Sequence, residues 1–99
     1  MNIRINAVRF DADKKLEQFI EKKVSKLSRY FDDIINAEVY LKLENSPDIE
    51  NKVVEIKLDI PGGDLFARKH TRSFEESTDI VVDALKQQIL RHKEKLRGL

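Results

Sequence analysis

The sequence predicts an α+β fold, a two-layer β-α-β-β-β-α sandwich in which two helices cover one face of a four-stranded mixed sheet. Apolar and polar residues alternate strictly over 37–44 and 54–60, which indicates strands that bury only one face. Apolar residues recur every three or four positions over 13–31 and 73–96, which indicates two amphipathic helices. Because the sheet has one apolar face, both helices must pack on that face.

The first half of the chain contains a short strand and a long helix. Residues 2–8 alternate Ile3 and Ile5 with polar neighbours, which predicts a strand with one buried face. Asp13 is a good N-cap residue, and the helix that it begins extends over roughly five turns to about residue 31. The apolar stripe of this helix consists of Leu16, Phe19, Ile20, Val24 and Leu27.

Three strands follow the first helix. The alternation over 37–44 predicts that Leu43 points inward with the other odd-numbered residues. The following loop contains Ser46-Pro47-Asp48, which is typical turn chemistry. The strand 54–60 is joined to a last strand, 65–70, by a hairpin turn at Pro61-Gly62-Gly63-Asp64. If the first two strands are parallel neighbours, the first helix forms the crossover between them.

The last element is the helix 73–96. Ser73 is its predicted N-cap, and Glu76 stands three residues later, as in a capping box. Val81, Leu85 and Ile89 form its apolar stripe, and Gly98 lies beyond its end.

Length and composition place limits on the class of protein. Ninety-nine residues form one domain, and 40% apolar with 37% charged residues describes a globular protein with a highly charged surface. Cysteine is absent from the sequence, so no disulfide framework or thiolate metal site is expected. No apolar run approaches the roughly 20 residues of a membrane span, and the N-terminus does not resemble a signal peptide. We therefore expect a cytoplasmic protein with no membrane partner.

No catalytic or metal-binding constellation is recognisable. His70 and His92 lack the spacing of metal ligands, and no serine stands in a nucleophile-elbow context. His92 lies on the side of the apolar stripe, so a half-buried structural role suits it as well as a functional one. We predict no enzymatic activity, no cofactor and no small-molecule substrate.

Charge is segregated along the chain. The net charge is only +1, but residues 14–29 carry six Lys/Arg against two acids, and residues 86–97 carry five against one. Residues 36–64 carry three Lys against seven acids. The cations therefore concentrate on the two helices, and such a distribution favours a polyanionic partner.

Helical spacing arranges these cations in rows. Lys15, Lys22, Lys26 and Arg29 share one flank of the first helix with Lys23 beside them, and Lys86, Lys93 and Arg97 align on the second. Two basic ridges with a groove between them would suit phosphates, with affinity falling steeply as salt rises. The alternative is that basic residues at a helix C-terminus only complement the macrodipole and stay solvated.

The predicted sheet face argues against one class of RNA reader. Besides Tyr40 it carries mainly acids, so it is a poor platform for stacking single-stranded bases. The strand-strand-strand-helix end resembles instead a double-stranded-RNA-binding domain, although charge alone does not separate RNA from DNA. The acids expected on this face are Glu38, Glu44, Glu55 and Asp59.

Three segments carry a family resemblance: LSRYFDD at 27–33, VYLKLE at 39–44 and LRHKEKLR at 90–97. They resemble the bacterial ribosome hibernation-promoting factor family, also called ribosome-associated inhibitors, over essentially the whole chain. The resemblance implies the β-α-β-β-β-α fold and binding to the small ribosomal subunit, in its mRNA and tRNA channel, through contacts of the basic helices with 16S rRNA. It implies a steric block of translation that protects idle ribosomes in starvation or stationary phase.

The resemblance and the charge pattern together predict a ribosome-binding surface. By position, Lys23 and Lys26 match family basic sites on the first helix, and the RHKEK segment matches those on the second. The full predicted set is Lys22, Lys23, Lys26, Arg29, Lys86, Arg91, His92, Lys93, Lys95 and Arg97. The chain departs from the family at Ala84 and Gln87, where relatives carry basic residues, with Lys86 displaced by one position.

The resemblance is to the short form of the family, so we expect a single ribosome-binding domain over 1–99 without a C-terminal dimerisation domain. Two other functions remain open at this point. One is a general structured-RNA-binding module without preference for ribosomes. The other is a protein-interaction adaptor that uses an acidic sheet face, with Glu38, Glu55 and Asp59 as its working residues.

Overall fold

The computed structural model describes residues 1–44 and 49–98. It contains four strands, two α-helices and a 3₁₀ segment that continues the first helix. In chain order these are β1 (Asn2–Ala7), α1 (Lys14–Ser25), the 3₁₀ segment (Lys26–Arg29), β2 (Asn36–Leu43), β3 (Lys52–Ile60), β4 (Gly63–Thr71) and α2 (Phe74–Leu96). This is the predicted element order, and the predicted turn at Ser46-Pro47-Asp48 lies outside the described residues.

The four strands form one mixed sheet in the order β1-β2-β3-β4. β1 pairs with β2 in parallel, with Ile3 opposite Ala37, so α1 is the crossover that the sequence suggested. β2 with β3 and β3 with β4 are antiparallel, and Gly62 adopts a positive φ of 85° in the turn of the second hairpin. That backbone conformation is open to glycine at no steric cost.

The core lies between one sheet face and both helices. Inward residues of β2 and β3 join Ile20 and Val24 of α1 and Val81, Leu85 and Ile89 of α2 in one buried cluster. This single cluster confirms the predicted two-layer α+β sandwich with both helices on one face. Leu43, which was predicted to point inward, is 50% exposed at the end of β2 and is not part of the buried cluster.

Side-chain caps begin both helices as predicted. The Leu16 amide donates to Asp13 Oδ1 at 2.8 Å, and the Glu76 amide donates to Ser73 Oγ at 3.1 Å. Each bond satisfies one of the amides that a helix N-terminus leaves without an intrahelical partner.

The first helix ends differently from its prediction. The sequence pattern predicted one α-helix to about residue 31, whereas α1 ends at Ser25 and tightens into the 3₁₀ segment. Two hydroxyls bond backbone carbonyls in this region: Ser25 Oγ to Lys22 O at 3.0 Å and Ser28 Oγ to Ser25 O at 2.8 Å. Such bonds compete with the regular helical pattern, and 3₁₀ geometry is common at helix C-termini.

The two helices run in the same direction. Contacts between them advance together along both segments, as shown by the pairs Lys23 with Asp79, Tyr30 with Lys86 and Phe31 with His92. At the opposite end, Phe10 stacks on Phe74 just before α1 and at the start of α2, with ring centroids 5.3 Å apart. The C-terminal ends of both helical segments therefore meet at one end of the domain.

A buried hydroxyl ties the start of α2 to the sheet. Ser77 Oγ donates to the Lys52 carbonyl at 2.7 Å and lies 2.8 Å from Thr71 Oγ1. We expect Ser77→Ala to lower the free energy of unfolding by about 1–3 kcal/mol, because it leaves buried polar groups without this partner. Denaturant unfolding with an unchanged m-value measures this change.

Ser28→Ala is the matched control, because the Ser28 hydroxyl is exposed and, among the described residues, bonds a carbonyl of its own helical segment. We expect this variant to stay within about 0.5 kcal/mol of the parent. Equal losses of unfolding free energy in the two variants would contradict a stabilising link between α2 and the sheet through Ser77.

Candidate nucleic-acid interface

A groove runs between α1 with its 3₁₀ segment on one side and α2 on the other. It has a volume of about 220 Å³, and Leu27 and Val82 contribute apolar lining. Its polar lining consists of Lys23, Lys26, Tyr30, Asp79, Asp83 and Lys86. The two helices thus place three of the ten predicted binding residues in one groove, together with two acids and an aromatic ring.

Lys86 packs against an aromatic side chain across this groove. Its Nζ lies 4.9 Å from the centroid of the Tyr30 ring, which is the geometry of a cation–π contact. The side chain turns toward α1 and places its charge at the groove.

Lys23 is already engaged within the protein. Its Nζ lies 3.2 Å from Asp79 Oδ1 and 5.4 Å from the centroid of the Phe19 ring. The ion pair is open to solvent, with Lys23 34% and Asp79 52% exposed, so its contribution to stability is small. The ion pair matters for binding, because the Asp79 carboxylate lies beside Lys23, whose positive charge was predicted to contact RNA.

The other two predicted residues of the first helical segment lie outside this groove. Lys22 is exposed and lines a depression on the side of α1 toward β1, with Met1 and Ile3. Arg29 is exposed at the end of the 3₁₀ segment. Of the first-helix residues in the predicted set, only Lys23 and Lys26 line the groove.

The cations of α2 lie on both of its sides. Arg91 and Lys95 line a depression between α2 and β4, next to Gln88, whose Nε2 donates to the Phe66 carbonyl at 2.8 Å. Lys93 and Arg97 fall on the flank of Lys86 by helical spacing. α2 thus carries positive charge on either side of its apolar stripe.

His92 is half-buried at the same end of the domain. Its ring meets the Phe31 ring edge-on, with centroids 5.4 Å apart and an interplanar angle of 83°. This packing orients the imidazole toward Phe31, which lies just after the 3₁₀ segment. The half-buried position expected from the sequence is confirmed.

The common C-terminal end of the helices collects positive charge. The two segments that meet there, residues 26–33 and 86–97, carry seven cations and three acids. The cations are Lys26, Arg29, Lys86, Arg91, Lys93, Lys95 and Arg97, and the acids are Asp32, Asp33 and Glu94. At the two positions of α2 where this chain departs from the family resemblance, Ala84 is half-buried and Gln87 is exposed.

The outer face of the sheet differs from its prediction. It carries the expected acids, but Arg68 bonds Glu44 at 2.6 Å and Glu55 at 3.1 Å. Lys42 pairs with Glu55 at 3.0 Å, and Lys57 pairs with Asp59 at 3.5 Å. The hydrogen bond from Arg68 to Glu44 raises the pKa of the guanidinium. The predicted acids therefore lie on this face, but cations of neighbouring strand positions pair with Glu44, Glu55 and Asp59.

Several groups of these surfaces were not singled out from the sequence. Tyr30, Asp79 and Asp83 lie in the groove, and Phe66 is 50% exposed on the outer sheet face. The spacing of Asp79 and Asp83, four residues apart and on the flank of Lys86, was the available signal for the acids. Within residues 1–44 and 49–98, no cluster of His, Asp or Glu is arranged to hold a metal ion, and neither α-helix has the length and apolarity of a membrane span.

Comparison with known proteins assigns this arrangement to a family. The sequence profile of a family described as "Sigma 54 modulation protein / S30EA ribosomal protein" matches residues 3–97. A similar protein is the ribosome hibernation promoting factor of Pseudomonas putida, 29% identical over 99 residues, which are 100% of this chain and 93% of the relative.

Two solved structures share the fold. A ribosomal subunit interface protein from Coxiella burnetii superposes with a TM-score of 0.85 and 20% identity, over 95% of this chain and 99% of that one. The N-terminal domain of Thermus thermophilus Protein Y superposes with a TM-score of 0.80 and 28% identity, over 93% of this chain and 99% of that one. The four-stranded mixed sheet with two helices is therefore an architecture common to these chains.

Proposed function

Because this chain belongs to the Sigma 54 modulation protein / S30EA ribosomal protein family, we propose that it is a ribosome hibernation factor of the cytoplasm. It binds the small ribosomal subunit in the channel for mRNA and tRNA, blocks translation sterically and protects idle ribosomes in starvation or stationary phase. Its action is occupancy of the channel, and it catalyses no reaction.

The observation that carries this proposal is the meeting of the two helical C-terminal ends. Their common direction brings cations of the 3₁₀ segment and of α2 to one end of the domain. Such a surface neutralises several phosphates of 16S rRNA at once, and the release of condensed counterions supplies affinity. The proposed contacts are the ten residues predicted from the sequence, with Lys23 and His92 also engaged within the protein.

The alternatives are a general structured-RNA-binding module and a protein adaptor. The positive end of the domain is compatible with binding to any structured RNA, so the ribosome must be tested against other RNA. The adaptor is less well supported, because two of its three working residues are paired with cations: Glu55 with Lys42 and Arg68, and Asp59 with Lys57.

Co-sedimentation of the purified protein with separated ribosomal subunits tests the proposal. We expect stoichiometric binding to small subunits that mRNA and initiator tRNA compete away. Between about 50 and 200 mM salt, the logarithm of the binding constant should fall linearly with the logarithm of salt concentration. Equal binding to large subunits or to bulk structured RNA would favour the general RNA-binding module. Failure of the folded protein to bind at low salt would rule out the hibernation function.

A further inference from the structure

The groove between the helices is not uniformly basic. At the part nearer the start of α2, two carboxylates stand one helical turn apart, Asp79 and Asp83, and both line the groove with Lys23 and Lys26. The Lys23 ammonium lies 3.2 Å from Asp79 Oδ1. Farther along α2, the Lys86 ammonium contacts the Tyr30 ring, and in the described part of the chain it has no acid within 4.0 Å.

Carboxylates in this position compete with phosphates. A phosphate and the Asp79 carboxylate are both strong acceptors for the same ammonium group, so RNA must displace Asp79 before it can pair with Lys23. The neighbouring charge of Asp83 repels an approaching backbone at the same place. Cations that are already paired with carboxylates neutralise fewer phosphates, so they release fewer condensed counterions and contribute less to sequence-independent affinity.

We propose that Asp79 and Asp83 are specificity-determining residues that keep the first part of the groove near neutrality. A generic RNA duplex is then bound only at the end where the helical C-termini meet, because it is denied a second row of phosphate contacts in the groove. The selectivity for one ribosomal site rests on the function proposed above. The effect of the two acids on generic RNA does not depend on it.

The test compares Asp79→Asn/Asp83→Asn with a variant that removes the same charge elsewhere. The matched control is Asp11→Asn/Glu50→Gln. Asp11 is exposed just before α1, and Glu50 is exposed just before β3, beside the end of β4, so both lie at the opposite end of the helix pair from the helical C-termini. Both variants raise the net charge by the same amount, and all four side chains lie at the surface.

The first probe is an RNA duplex of about 20 base pairs with no ribosomal sequence, long enough to span a domain of this size. We expect the groove variant to bind it about tenfold more tightly than the parent at low salt, with a salt slope steeper by about one unit. The control should gain less than about threefold, because its charges are remote from the groove and screened. Asp83→Asn alone, which breaks no ion pair of the described residues, should give part of the gain.

The second probe is the purified small subunit. The ratio of its affinity to that of the duplex should fall in the groove variant and stay near the parental value in the control. Equal gains on the duplex in both variants, or no gain in either, would overturn the inference and leave the proposed function standing if the parent binds small subunits. A gain confined to the groove variant, in a protein that does not bind small subunits, would support the charge effect while the proposed function fails.

Discussion

Replacing Arg91 and Lys93 with glutamate should weaken binding to the small ribosomal subunit roughly tenfold to a hundredfold while the domain stays folded. The exposed Arg91 and the half-buried Lys93 lie outside the apolar stripe of α2, so neither belongs to the buried cluster of the core. The double reversal places two negative charges at the end where the helical C-termini gather their cations. Co-sedimentation across a salt series should show both the lower affinity and a salt slope smaller in magnitude by about two.

The cost to folding should be small. Glutamate in the last turns of a helix opposes the macrodipole at about 0.3–1 kcal/mol per residue, against a stability of about 5–15 kcal/mol for a typical domain. Circular dichroism and thermal unfolding establish that the variant is folded before its binding is measured.

The matched control is Lys69→Glu/Arg72→Glu. It changes the net charge equally, but its exposed positions lie at the end of β4 and just before α2, at the opposite end of the helix pair. We expect it to lose only a few-fold in affinity through long-range steering, which salt screens. Equal losses in the two variants would mean that net charge alone drives binding. Unchanged binding by the folded Arg91/Lys93 variant would contradict the interface at the helical C-termini.

The sequence was sufficient to predict the architecture because local signals agree with one another. Strict alternation indicated a sheet with one buried face, and the two amphipathic helices then had only that face to cover. Asp13 and Ser73 were identified as caps because capping depends on neighbours within one turn. The 3₁₀ segment was missed because apolar periodicity carries no information about side-chain hydrogen bonds. The bonds that accompany this segment run from the Ser25 and Ser28 hydroxyls to backbone carbonyls.

The exposure of Leu43 shows a second limit of periodic patterns. Alternation predicts which side of the sheet a residue faces, but not how far the helices extend over that side. Leu43 lies at the end of β2 and remains 50% exposed, whereas Leu41 two positions earlier is fully buried.

The sequence predicted which cations the candidate site contains, but not how they are arranged or which residues they contact. The cations could be counted, but their partners are distant in sequence: Lys23 meets Asp79, and Tyr30 meets Lys86. Arg68 of β4 likewise bonds Glu44 at the end of β2, across the intervening strand β3. A charge balance summed over segments of the chain counts the two partners of such a pair in different segments. The sheet therefore looked acidic and the groove looked basic until the fold brought opposite charges together.

Shortening Leu85 to alanine should lower the free energy of unfolding by about 2–5 kcal/mol. Leu85 is completely buried at the centre of the cluster that joins α2 to the sheet, so the lost methyl groups leave a cavity that neighbouring residues can fill only in part.

Denaturant unfolding of Leu85→Ala should show a lower midpoint with an unchanged m-value, because the surface exposed on unfolding hardly changes. Leu96→Ala is the matched control on the same helix, since Leu96 lies on the same stripe but is 66% exposed beyond the core. Its loss should stay near 0.5 kcal/mol, about the value for surface substitutions. Comparable losses at the two positions would contradict the conclusion that packing of Leu85 on the sheet governs the stability of this element. A loss confined to Leu85 would make any defect in ribosome binding by that variant an indirect result of unfolding, separable from the loss caused by reversing Arg91 and Lys93.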